Sequence, residues 1–140
     1  MTNTTTSQKH STKQSEWVLN STSKSFRKFG RIKEYAHPRR TLIDIDGGRK
    51  LLSETMYRIP RVARVVHIKP QWIRVDRTQH GWHVVIHWNR SLNNWSILAL
   101  QAILGSDWRR EAMNWDRLQA ERKDRFSLKR WNILYEEKLK

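Results

Sequence analysis

A chain of 140 residues with 28 Lys plus Arg against 13 Asp plus Glu carries a formal net charge of +15, so it has room for one core and a field that attracts polyanions. Zero cysteines exclude disulfides and zinc–thiolate sites, and no apolar run reaches the roughly 20 residues of a membrane span. The expected partner is nucleic acid, with no membrane involved and a cytoplasmic location (the host cytosol for a viral protein). A ribosomal or histone-like structural role is the plainer alternative for such basicity.

Residues 1–30 are dominated by Ser, Thr, Asn, Gln and Lys, a composition that predicts a disordered basic tail and leaves 31–140 as the folded domain. "TLIDID" (41–46) alternates with period two, placing Ile43 and Ile45 on one face of a strand and Leu42, Asp44 and Asp46 on the other. "GGRKLLSETMYRI" then sets Leu51, Leu52, Met56 and Ile59 at helical spacing, with Pro60 expected to stop the helix. The glycine pair at 47 and 48 lacks the spacing of a phosphate-binding loop and reads as a tight turn.

Residues 64–77 read as an irregular or edge strand around Pro70, presenting Arg74 and Asp76 if Ile73 and Val75 are buried. "TQHG" makes a turn into "WHVVIHW", the strongest strand, with Trp82, Val84, Ile86 and Trp88 on one face and His83, Val85 and His87 on the other. "SLNNWSILALQAIL" suits a deeply packed helix stopped by Gly105. A second helix follows with Ser106 or Asp107 as its N-cap, and Trp108, Ala112, Trp115 and Leu118 recur along it. "RWNILYEEK" closes the chain as a strand with Trp131, Ile133 and Tyr135 inward.

This βαββαβ order predicts an α+β domain of RNA-recognition-motif-like topology, an antiparallel sheet with helices on one face and the first and third strands side by side. On the uncovered face, parity gathers Asp44, Asp46, His83 and His87, with Asn132, Leu134 and Glu136 from the last strand. Paired carboxylates on a basic protein suggest Mg²⁺ or Mn²⁺ bridging to phosphates, and an imidazole beside them can donate to a phosphate or move a proton. A solvated strand face is the plainer reading.

"LIDID" followed by "RTQHGWHVVI" resembles the first two motifs of the archaeo-eukaryotic primase superfamily. The resemblance spans roughly residues 41–137 and implies a DNA replication protein with a metal-dependent nucleotidyltransferase core. It implies Asp44 and Asp46 as ligands of Mg or Mn, and His83 as the contact to the phosphates of a nucleoside triphosphate, with Arg77 and Thr78 beside it. The third acidic residue would be Glu136 by parity or Asp107 by position. "LQAILGSDWRREAMNWDR" resembles segments of small phage and plasmid proteins, which implies a mobile-element context.

Rival expectations stay open beside this one. A non-catalytic binder of DNA or RNA, with DNA the first candidate, would use the same fold, and so would a scaffold within a replication complex. A rolling-circle-type nuclease would need two histidines flanking one residue, whereas "HVVIH" has three between His83 and His87, and Tyr57 would be its nucleophile. In "GSDWRRE", Arg109 and Arg110 at a helix start suit a phosphate or plain surface pairs. Trp72, Trp95, Trp108 and Trp115 are either base-stacking platforms or core.

Overall fold

The computed structural model describes residues 31–124 and 130–136, so the expected tail over 1–30 lies outside the described residues. The elements run β1 (Ile32–Glu34), β2 (Arg40–Asp46), α1 (Arg49–Val66), β3 (Pro70–Arg77), β4 (Gly81–Trp88), α2 (Asn94–Ile103), α3 (Trp108–Asp124) and β5 (Leu134–Tyr135). The fold is α+β, with one three-stranded antiparallel sheet ordered β2-β4-β3 and one two-stranded antiparallel sheet of β1 and β5.

The alternation read from the sequence sets the main core. Ile43 and Ile45 of β2 meet Val84, Ile86 and Trp88 of β4, and against them pack Ile59 and Ala63 of α1 and Leu100 of α2. Each of the Ile, Val and Leu side chains contributes about 1.5–3 kcal/mol by leaving water. The Trp88 indole is fully buried, and its N–H donates to Thr41 Oγ1 at 3.1 Å, so the polar atom is satisfied. The first and third expected strands, β2 and β4, do lie side by side, pairing from Arg40 with His87 to Asp46 with Gly81.

Pro60 does not end the first helix, which continues through it to Val66. The buried positions Thr55, Ile59 and Ala63 keep helical spacing across the proline, and burial of that face outweighs the one lost backbone hydrogen bond. The helix stops instead at His67, which adopts the left-handed conformation (φ 59°) of a C-cap. The strand expected from residue 64 therefore begins only at Pro70.

The last strand also differs from expectation: β5 is two residues long and pairs with β1, a strand absent from the sequence reading, and not with β2. The outer edge of β2 is already occupied. Leu42 N–H donates to Gln101 Oε1 (2.7 Å) and Asp44 N–H to Ser106 Oγ (3.0 Å). Leu42 C=O accepts from Arg110 Nη1 (2.8 Å) and Asp44 C=O from Asp107 N–H (2.7 Å). The outward N–H and C=O groups of Leu42 and Asp44, in the middle of this edge, are thus paired with the α2–α3 corner, which blocks a fourth strand there.

Behind that edge sits a buried polar cluster. Gln101 Nε2 donates to Glu111 Oε1 (2.9 Å) and Asn132 Oδ1 (3.2 Å), and Asn132 Nδ2 returns a bond to Gln101 Oε1 (2.7 Å). With Leu42 N–H this uses every hydrogen-bonding position of the Gln101 amide. Helix α3 consequently turns Glu111, Asn114 and Leu118 inward, while Trp108 (73 % exposed) and Trp115 (50 %) face solvent, which removes the core alternative for these two. Asn132, expected on an open face, is wholly buried here.

No helix among the described residues is long and apolar enough to cross a membrane.

Candidate functional site

The sheet face opposite the main core is not open. The β1–β5 pair covers it: Leu134 packs on Leu42 and Val85, and the β1 side chains Lys33 and Glu34 reach across to β3. Beneath this cover Asp44, His83 and Asp76 form one row across β2, β4 and β3, because Asp44 and Asp76 are both Cα partners of His83.

Lys33 orders that row. Its ammonium lies 2.7 Å from Asp76 Oδ2 and 3.5 Å from His83 Nδ1. An ammonium only donates, so His83 Nδ1 accepts and the imidazole proton sits on Nε2. Nε2 points toward Asp44, 3.6 Å from its Oδ1. Burial, followed by the charges of Lys33 and Arg110, holds the His83 pKa down at about 3, so the ring is neutral at physiological pH. Burial pushes the Asp44 carboxyl up from its ordinary value; the Arg110 charge opposes this, and Asp107, Asp46 and Glu111 add to it.

Asp44 and His83 open into a cleft of about 350 Å³ lined also by Thr78, Asp107, Arg109, Arg110, Arg117 and Tyr135. Asp107 caps α3, its Oδ2 accepting from Arg110 N–H at 3.3 Å. Arg109 is largely exposed, with Nε 3.9 Å from Asp107 Oδ1, and its side chain is available to a ligand. Arg110 is committed to the fold. Its Nη1 donates to Leu42 C=O and, at 2.6 Å, to Glu111 Oε2; Nη2 donates to Asn132 Oδ1 and Ile133 C=O; and Nε donates to Ile133 C=O. All five guanidinium donors therefore end on protein.

Compared with protein-family models, curated proteins and solved structures, the chain matches none.

Of the residues singled out in the sequence, the cleft brings together Asp44, His83, Asp107, Arg109, Arg110 and Thr78. Asp46 is exposed at the end of β2 and does not line the cleft, nor does Glu136, whose backbone N–H instead bonds Arg31 C=O at 2.7 Å. Arg74 joins Glu34 (2.8 Å) and Asp76 (3.2 Å), and Arg77 lies over the Trp82 ring at 5.3 Å; neither lines the cleft. Tyr57 is an exposed residue of α1 with Arg61 over its ring.

Lys33, Arg117 and Gln101 were not picked out in the sequence, and Asn132 was expected on the open face rather than in a buried polar cluster with Gln101 and Glu111. Lys33 sits in a three-residue strand too short to show a period. Gln101, alone and polar inside the apolar run "SILALQAIL", was the readable signal, since a buried amide requires partners.

The donor set suits a hard cation that arrives with its ligand. Asp44 and Asp107 offer carboxylate oxygens on one cleft, but among the described residues no group of three His, Cys, Asp or Glu is placed to hold an ion. Mg²⁺ commonly binds through one or two carboxylates plus substrate phosphates, which is the arrangement these residues can serve.

Proposed function

We propose that this chain is a nucleic-acid-binding replication protein whose cleft takes a nucleoside triphosphate with Mg²⁺ or Mn²⁺ for primase-like nucleotidyl transfer. The observation that carries the reading is the Asp44–His83 juxtaposition across β2 and β4 at the mouth of a cleft that also holds Asp107, Arg109 and Arg117. The β2-β4-β3 order, with α1 between β2 and β3, suits the central part of an RNA-recognition-motif-like sheet and supports the same assignment.

Asp44 and Asp107 would hold the metal; Asp46, outside the cleft, would not take part. The metal, when bound, neutralises phosphate charge. His83, neutral with its proton on Nε2, donates to a phosphate oxygen without adding a cation to a crowded site. Arg109 and Arg117 offset the remaining phosphate charge, and Lys33 holds the His83 tautomer. The formal charge of +15 serves the nucleic acid strand.

The test is incorporation of labelled nucleotide onto an oligonucleotide in Mn²⁺. Incorporation by the wild type that falls at least about 100-fold in both Asp44→Asn and His83→Ala supports the reading. A second reading, a binder without nucleotidyl transfer or a scaffold of a replication complex, is favoured by one observation: the "GSDWRRE" corner, with Arg110 and Glu111, is spent on closing the β2 edge. It predicts salt-sensitive nucleic-acid binding and no incorporation.

A further inference from the structure

At the other end of the covered face, four residues along β4 from His83 and so about 13 Å away, lies an aromatic and cationic cluster that the cleft does not use. Trp72 of β3 stacks on His87 of β4 with ring centroids 5.2 Å apart and 8° between planes. The Arg40 guanidinium lies 5.1 Å from the Trp72 centroid, and its Nε donates to His87 Nδ1 at 3.0 Å. His37 packs against the same imidazole at 5.6 Å.

The geometry leaves part of this stack free. Arg40 bonds His87, whose ring is nearly parallel to Trp72, and its guanidinium lies over the same indole. Trp72 is nevertheless 40 % exposed, unlike the wholly buried Trp88, its near neighbour on β4. A register shift between Pro70 and Trp72 marks an irregularity in the ladder of the kind that re-aims a side chain, and it falls just before the tryptophan. Burial, then the charges of Arg40 and Arg39, holds His87 below its usual pKa, so the imidazole is a neutral stacking surface. Arg40 and Arg74 border the cluster, both paired with Glu34 (3.6 and 2.8 Å), and Arg74 also with Asp76 (3.2 Å).

A planar, partly open aromatic surface held rigid by a second ring and bordered by arginines matches what unpaired bases and their phosphates require. We propose that Trp72, backed by His87 and Arg40, is a base-stacking subsite for single-stranded nucleic acid, positioned to hold a strand about 13 Å from the Asp44–His83 cleft. The inference rests on the nucleic-acid part of the function proposed above and goes further by naming the strand type and the anchor. A duplex keeps its bases stacked inside and offers this surface nothing beyond phosphate.

The test is anisotropy of a fluorescent single-stranded oligothymidine of about 15 nucleotides, with a duplex of equal length and inorganic polyphosphate as comparison ligands. Trp72→Ala should weaken the single strand at least about fivefold and up to about 100-fold, the range of one base–aromatic stack. Trp72→Phe should restore most of that loss, and duplex and polyphosphate binding should change less than about twofold. Unchanged single-strand affinity in Trp72→Ala, an equal loss for polyphosphate, or no binding by the wild type overturns the subsite. Calorimetry of Mn²⁺ with a nucleoside triphosphate on Trp72→Ala reads the cleft separately, so failure of this subsite and failure of the cleft are distinguishable.

Discussion

His83 Nε2 stands 3.6 Å from Asp44 Oδ1 across the β2–β4 ladder, and the two residues are Cα partners in it. Lys33 on the far side of the ring fixes the proton on Nε2, so the pair presents a neutral donor next to a carboxylate whose charged form burial disfavours. Such an arrangement costs stability in the free protein, and a cation on Asp44, as proposed above, would relieve it.

The first consequence concerns acid. His83 is held at about pKa 3 in the fold against 6.5 when unfolded, so between these values the unfolded chain takes up a proton that the folded chain refuses. Stability is full above pH 6.5 and falls as pH drops toward 3, by up to about 1.4 kcal/mol per pH unit. In urea denaturation, His83→Gln should lose less stability than wild type between about pH 6.5 and 4.5. Equal losses would contradict the buried neutral imidazole.

Asp44 has the opposite sign. Its carboxyl is raised in the fold, so its ionisation subtracts stability as pH rises through the folded value, and at pH 7 the penalty is present. Asp44→Asn should therefore melt above wild type at pH 7, by less than about 1 kcal/mol because the carboxylate is partly screened by water.

The parity of 41–46 and 82–88 was legible because a two-residue period survives in any strand with one buried face: Ile43, Ile45, Val84 and Ile86 share a core as expected. Asp44 and His83 followed onto one face. Their direct opposition depends on register, which the pattern does not carry. The partner of β5 was illegible for a different reason. The β2 edge is filled by Gln101, Ser106 and Arg110, side chains that hydropathy treats as incidental, and the same polar cluster turned α3 so that Trp108 and Trp115 face out. Pro60 misled because a local breaker was weighed without the packing of Ala63 beyond it.

Arg110 is the clamp of that edge, and its removal strands Glu111 as a buried charge together with three carbonyl acceptors. Arg110→Ala should cost about 3–5 kcal/mol in urea denaturation. Arg110→Lys, which keeps the charge but not the fork, should fall between the two. A loss under about 1 kcal/mol for Arg110→Ala would show that the β2 edge is held otherwise.

Gly81 explains the glycine of "TQHGWH". A Cβ there would lie 1.8 Å from Ile45 C=O and 3.0 Å from Gly47 N, so β2 would have to move. Gly81→Ala should destabilise by about 1–3 kcal/mol and weaken nucleotide binding, since the displaced backbone carries Asp44. Gly48→Ala, where nothing lies within 4 Å of the added Cβ, should change stability by less than about 0.5 kcal/mol. Equal effects at the two glycines, read by thermal melting, would argue against this packing.

In the proposed function, Asp44 and Asp107 take a divalent cation together with the phosphates of a nucleotide. Calorimetric titration of Mn²⁺ into the wild type, with and without a non-hydrolysable nucleoside triphosphate, tests it most directly. The expected result is weak binding of Mn²⁺ alone, saturable binding at least about tenfold tighter with the nucleotide present, and loss of that enhancement in Asp44→Asn. Identical titrations of wild type and Asp44→Asn in the presence of nucleotide would contradict it.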